Sequence, residues 1–229
     1  MADRKNNLLK MIIEEYIRSA MPVSSGLINE KYLPRVSSAT IRNDMAELEE
    51  AGLIYQPHTS AGRVPTLAGY QYYLDNFVFD SEIHGPAKEE LEKLSGKIFN
   101  NRLGAKDLAK TLAEISSATV LVGFSPRDVY YTGISNLFRQ PEFSQYNFVY
   151  SMSQIIDHLD EVMSRIFDQI DKEIKIWLGS DNPFGEMSSV ILSKITLDKQ
   201  KILLGILGPN RMDYQKNIGL IRYSQQLFK

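Results

Sequence analysis

The sequence predicts an α+β chain in two parts, and three patterns predict it. Apolar residues recur at helical spacing through the first 79 residues, interrupted there by one short hairpin-like stretch. A polar segment, Asp80 to Pro86, closes with Gly85 and Pro86 and reads as a linker. From about Ala105 onward, short apolar strand-like runs alternate with amphipathic helices, the pattern of an antiparallel sheet backed by helices.

A first helix is expected from about Asn6 to Ser19, with Leu8, Leu9, Ile12, Ile13, Tyr16 and Ile17 facing inward. The second starts at the Ser24/Ser25 cap and runs to Leu33, and Pro34 to Val36 form the tight turn. Ser37 and Ser38 cap a third helix, whose stripe is Ile41, Met45 and Leu48 and whose stop is Gly52. Leu53, Ile54 and Tyr55 make a short strand, His58 to Gly62 supply the turn, and Val64 begins the return strand. Thr66 caps a fourth helix carrying Leu67, Tyr70, Tyr73, Leu74 and Phe77. This order is a winged helix-turn-helix, a DNA-reading device whose third helix enters the major groove.

Charge qualifies that reading. The chain of 229 residues carries a formal net charge of −2, and residues 1–79 hold eight bases against nine carboxylates. Distribution decides more than the sum, because phosphate contact is local. Lys31 to Asn43 has three bases and no acid, whereas Asp44, Glu47, Glu49 and Glu50 lie in the later turns of the third helix, away from the groove. Ser38, Thr40, Arg42 and Asn43 are the expected base readers, since Arg42 can fork onto a guanine edge and Asn43 onto an adenine. Arg35, Ser37, His58, Thr59, Ser60 and Arg63 are the expected phosphate or wing contacts. Winged helices also serve as protein-interaction modules, and Arg42 and Asn43 as merely solvated residues is the plainer alternative.

A charged helix is expected from Ala87 to about Leu103, with Leu91, Leu94 and Ile98 at coiled-coil-like spacing. It either packs on its own sheet or forms a dimer seam; three apolar positions do not separate these. Beyond it come a helix at Lys106 to Ser116, strands near Ala118 to Phe124 and Val129 to Ser135, and a long helix at Ser153 to Ile170. Strands near Ile174 to Leu178, Val190 to Leu197 and Ile202 to Leu207 follow, then a last helix from Arg211. Trp177 is expected in the core. In GPNRMDY, Asn210 reads as a helix cap with Asp213 complementing the dipole, and Arg211 as a candidate anion ligand.

Catalytic and metal patterns are wanting. His58, His84 and His158 are far apart, and neither a G-x-S-x-G elbow nor a phosphate loop occurs. Without cysteine there is no disulfide framework and no thiolate metal site, which fits a reducing cytoplasm. No apolar run approaches spanning length. The expectation is a cytoplasmic, non-enzymatic protein without cofactor or membrane partner, its domains 1–79, 80–104 and 105–229.

The run SSATIRNDMAELEEAGLIYQPHTSAGRVPT at Ser37 to Thr66, followed by GYQYYLDNF from Gly69, closely resembles the bacterial heat-inducible transcription repressor family HrcA. NLFRQPEF at Asn136 to Phe143, LGSDNPFGEMSS at Leu178 to Ser189 and LGPNRMDYQK at Leu207 to Lys216 are similar to further segments of that family. The resemblance implies a GAF-like C-terminal domain and a homodimer bound to an inverted-repeat DNA operator, CIRCE, upstream of chaperone operons of the dnaK and groE type. It also implies release on heat shock and support by the chaperonin GroEL. The chain departs from the family where ATVLVGF leads through SPRDV almost directly to YYTGISNLFRQPEF: a central segment used for dimerisation in other members is missing, in much or all of its length. Control of a winged-helix repressor by a small ligand in the C-terminal domain is the alternative.

Overall fold

The computed structural model describes residues 2–78, 81–95, 101–144 and 146–227. By contacts between Cα atoms the chain divides into two compact units, Met1–Phe79 and Asp80–Lys229.

In the first unit, α1 (Ala2–Ser19) buries Leu8, Leu9, Ile12 and Ile13. Helix α2 (Ser25–Lys31) begins where Ser24 Oγ accepts from the Leu27 amide at 3.1 Å and ends before the expected Leu33. Helix α3 (Ser38–Glu50) turns Ile41, Asp44, Met45 and Leu48 inward. It ends with Gly52 in the left-handed region at φ 72°. There the amides of Gly52 and Leu53 reach back to the carbonyls of Glu49 and Leu48, at 2.9 and 3.0 Å. Strands β1 (Ile54–Tyr55) and β2 (Val64–Pro65) pair antiparallel, and Val23 adds an isolated bridge to Arg63. Helix α4 (Leu67–Phe77) is capped by Thr66 and packs on α1.

Helix packing in this unit is tied by a buried carboxylate. Glu15 of α1 is 2% exposed and accepts from Lys31 Nζ at 2.6 Å, from Tyr32 Oη at 2.7 Å and from Arg18. Burial pushes this carboxyl up, but the three donors outweigh it and hold the group down at about 2.

The second unit is a five-stranded antiparallel sheet between helices. Its strands are β3 (Thr119–Ser125), β4 (Asp128–Thr132), β5 (Lys175–Leu178), β6 (Ser188–Leu197) and β7 (Gln200–Pro209), in the order β4-β3-β7-β6-β5. Asp198 and Lys199, at φ 45° and 68°, close the β6–β7 hairpin by the two-residue turn that suits strand twist. Alternation along the strands sends Leu121, Val190, Leu192, Leu203 and Leu207 into one core with Met163, Ile166, Phe167 and Phe184. Trp177 packs against that core, half-buried. The other face meets α6 (Arg102–Ser116) and α10 (Tyr214–Leu227). This α+β arrangement is consistent with a GAF-like domain.

Several expected boundaries are corrected. The charged helix is α5 (Pro86–Ser95) and does not run to Leu103; Asn101 caps a new helix, its side chain accepting from the amides of Leu103 and Gly104 at 3.0 and 3.1 Å. The strand expected to reach Ser135 ends at Thr132, because Gly133 turns at φ 76° into α7 (Ile134–Phe138). The long helix expected over Ser153 to Ile170 is two, α8 (Tyr146–Asp157) and α9 (Leu159–Ile166), broken at His158. Helix α10 starts at Tyr214 rather than Arg211, and its cap is Asp213, which accepts from the Lys216 amide at 3.0 Å. Asn210 instead donates to the Glu186 carbonyl at 3.0 Å. Residues 81–84 are no free linker either: Ser81 and Ile83 are buried, and Gly219 of α10 lacks the Cβ that would stand 2.8 Å from Ile83. Asp80 lies outside the described residues.

Candidate nucleic-acid interface

Helix α3 is started by Ser37, whose extended backbone leaves its Oγ to accept from the Thr40 amide at 3.1 Å. With Ile41, Met45 and Leu48 fixed inward, helical spacing places Ser38, Arg42 and Asn43 on the exposed side. Thr40 is half-buried, its Oγ1 2.9 Å from Ser37 Oγ, so both hydroxyls are partly occupied by the cap. Arg35 is exposed in the preceding turn, and His58, Thr59 and Ser60 are exposed at the wing tip.

The electrostatics of this surface follow from which bases are already paired. Arg4 makes a two-pronged pair with Asp44, at 2.9 and 2.7 Å, and Asp44 is only 4% exposed. Lys5 pairs with Glu47, Arg63 with Glu49 at 2.9 Å, Lys10 with Glu14, and Arg18 and Lys31 with Glu15. Three of the four acids in the later turns of α3, Asp44, Glu47 and Glu49, are therefore matched by bases from other elements, and Glu50 is exposed. Among the described residues of this unit, Arg35 and Arg42 are the two bases without an ion pair, and both flank the start of the recognition helix. Sequence reasoning missed the Arg4–Asp44 and Lys5–Glu47 pairs because their partners lie about forty positions apart in the chain.

Arg63 is placed differently from the other wing residues: it is 15% exposed at its side chain and turned toward Glu49. Leu91 is fully buried and Leu94 half-buried within the second unit, so Leu91 offers no surface to a partner; Ile98 lies outside the described residues. Arg211, the candidate anion ligand, is committed to Glu142 and to Gln140 Oε1, the latter at 2.8 Å. Asn182 meanwhile binds the Ser188 carbonyl at 2.8 Å, and Tyr214 reaches Ser189 Oγ at 3.0 Å. These contacts join NLFRQPEF, LGSDNPFGEMSS and LGPNRMDY at one end of the sheet, a structural role for all three segments. Among the described residues, no group of three His, Cys, Asp or Glu could hold a metal ion, and no helix is long and apolar enough to cross a membrane.

A DeoR-like helix-turn-helix family matches residues 11–65, which hold the second half of α1 and all of α2, α3 and the wing. The family described as HrcA protein C terminal domain matches residues 76–218, more than half of the chain. The chain belongs to the HrcA family. Its similarity to the curated heat-inducible transcription repressor HrcA of Symbiobacterium thermophilum is 43% identity over 122 residues, 52% of this chain but 36% of that relative. With the HrcA repressor of Carboxydothermus hydrogenoformans it shares 24% identity over an alignment of 327 positions, covering 96% of this chain and 95% of the relative. An alignment of that length on 229 residues sets gaps against part of the HrcA relative. Between ATVLVGF and YYTGISN the chain makes the tight β3–β4 hairpin, turning at Pro126 and Arg127. A crystal structure described as a hypothetical protein superposes with a TM-score of 0.74 at 18% identity, over 100% of this chain and 96% of that one, a likeness of fold.

Proposed function

We propose that the chain is a cytoplasmic transcription repressor that binds an inverted-repeat, CIRCE-type operator as a homodimer and controls chaperone operons of the dnaK and groE type. One observation carries the DNA-binding step: among the described residues of the first unit, Arg35 and Arg42 are the bases without an ion pair, one in the turn before α3 and one in its second turn. Arg42 and Asn43 read base edges, with Ser38 and Thr40 beside them; Arg35, Ser37 and the wing tip His58, Thr59 and Ser60 meet the backbone. The reading is of a binding protein without catalytic chemistry, and the repressor names of the family's curated members support it.

Heat release has a physical basis in the second unit. VLVGF, SVILSKI and KILLGILG lie in β3, β6 and β7, the three inner strands, and their apolar residues are buried except the half-buried Phe124. Heating that opens this sheet exposes segments a chaperonin such as GroEL would bind, and removes the unit that holds two DNA readers together. Control by a small anion at Arg211 is the weaker alternative, since Glu142 already occupies that guanidinium.

Gel-shift titration with an inverted-repeat duplex tests the reading. Binding should fall steeply with salt and should be lost on warming, with GroEL restoring it. A chain that ignores the duplex at low salt would refute DNA reading; one that binds it but responds to a metabolite and not to chaperonin would refute the control proposed here.

A further inference from the structure

The wing is too small to hold itself. Its ladder is two residue pairs, Ile54↔Pro65 and Tyr55↔Val64, and Pro65 has no amide to donate. A side chain of the recognition helix ties its two strands together. Glu49, in the last turn of α3, uses both carboxylate oxygens on the wing: Oε1 accepts from the Gln56 amide at 2.9 Å, and Oε2 pairs with Arg63 Nη2 at 2.9 Å. The two strands thus converge on one carboxylate, one from each side of the tip.

The connection continues to the tip itself. Gln56 Nε2 donates to the carbonyls of Thr59 and Ala61, each at 2.9 Å, and the Ala61 amide closes the turn onto His58 at 2.8 Å. Arg63 is anchored a second time through its backbone, which exchanges two hydrogen bonds with Val23 at 2.8 Å. Gly62 permits that approach, for a Cβ there would lie 2.4 Å from the Val23 carbonyl carbon.

We infer that Glu49 is a positioning residue that sets the wing against the recognition helix, with Arg63 as its partner rather than a phosphate ligand. The inference rests on the DNA-binding reading above for its consequence, though not for its geometry. It predicts an unexpected sign. An acid beside DNA ordinarily repels phosphate, so deleting it should tighten binding; deleting this one should weaken binding, because the wing tip loses its place.

The test uses the full chain with Glu49→Ala, Gln56→Ala and Arg63→Ala, an inverted-repeat duplex as probe, and two readouts. Hydrogen exchange of the free protein should rise across residues 54–65 in Glu49→Ala while residues 38–48 keep their protection. Duplex affinity should fall about tenfold, the scale of one lost charge-assisted hydrogen bond. Backbone-cleavage protection should disappear at the flank and persist at the major-groove core. Gln56→Ala, whose side chain touches only the wing, should loosen residues 57–61 and lose the flanking protection; Arg63→Ala, which removes the pair with Glu49 Oε2 and leaves α3 unaltered, decides the matter by its wing exchange if Glu49→Ala does not fold. Unchanged wing exchange in the variants overturns the inference, and so does duplex binding as tight as or tighter than the parent's with the flank still protected. A parent protein that leaves the duplex unprotected while Glu49→Ala still loosens the wing would refute DNA reading and leave the clamp standing.

Discussion

Gly52 and Gly69 show how differently two glycines of one signature are required. At Gly52 nothing lies within 4 Å of an added Cβ, but φ is 72°, so Gly52→Ala should cost only the left-handed penalty, about 1–2 kcal/mol. At Gly69 a Cβ would stand 2.1 Å from the Leu53 carbonyl oxygen, where α4 presses on the wing root, and neither backbone can yield cheaply. Gly69→Ala should therefore destabilise the first unit by about 3 kcal/mol or more, beyond the usual range for overpacking, as denaturant unfolding will report. The stop at Gly52 was legible because it acts within one helix end; the need for Gly69 was not, since Leu53 is distant in sequence. Among the residues proposed to face DNA, Arg35→Ala should reduce the slope of log affinity against log salt by about 1 and weaken all sequences alike. Arg42→Ala should cost about 1–3 kcal/mol and relax the preference at one base position, as competition between duplexes will show.

At the scale of elements, the helix caps and strand runs were readable, and what escaped was any feature requiring two elements to meet. Glu15 reads as one more polar position on α1, yet it is the acceptor that joins α1 to α2 through Lys31 and Tyr32. Its carboxyl sits near 2 in the folded unit against an ordinary value of 4.5. The folded state thus holds this group ionised to lower pH than the unfolded chain does, so its contribution is complete above about pH 4.5 and fades as pH falls toward 2. About 3 kcal/mol is at stake by linkage, and denaturant melts across that window should show it. Glu15→Gln should flatten that part of the profile and lower stability at pH 7. The helix expected from Ala87 to Leu103 failed for a related reason: its apolar spacing does not reveal that Asn101 restarts the helix by binding the amides of Leu103 and Gly104. Likewise Asn210 and Asp213 are both good caps by type, and only the position of Glu186 decides that Asn210 is used elsewhere.

For the whole molecule, two compact units predict two unfolding events, which calorimetry of the full chain should resolve. If heat acts through the second unit, loss of operator binding, apolar dye uptake and capture by chaperonin should appear together as β3, β7 and β6 open. Operator binding lost while that sheet remains protected from exchange would set the sensor in the first unit instead.

Local chemistry in the sequence determined the recognition helix, its caps, the wing tip and the layered α+β class, since periodicity and turn residues act over a few positions. It also determined the family, through runs long enough to be distinctive. Tertiary structure decided which charges remain free. Arg4, Lys5 and Arg63 look as available as Arg35 and Arg42 until the fold brings Asp44, Glu47 and Glu49 to them. Ion pairing between distant elements depends on where the chain returns, and no local pattern carries that information.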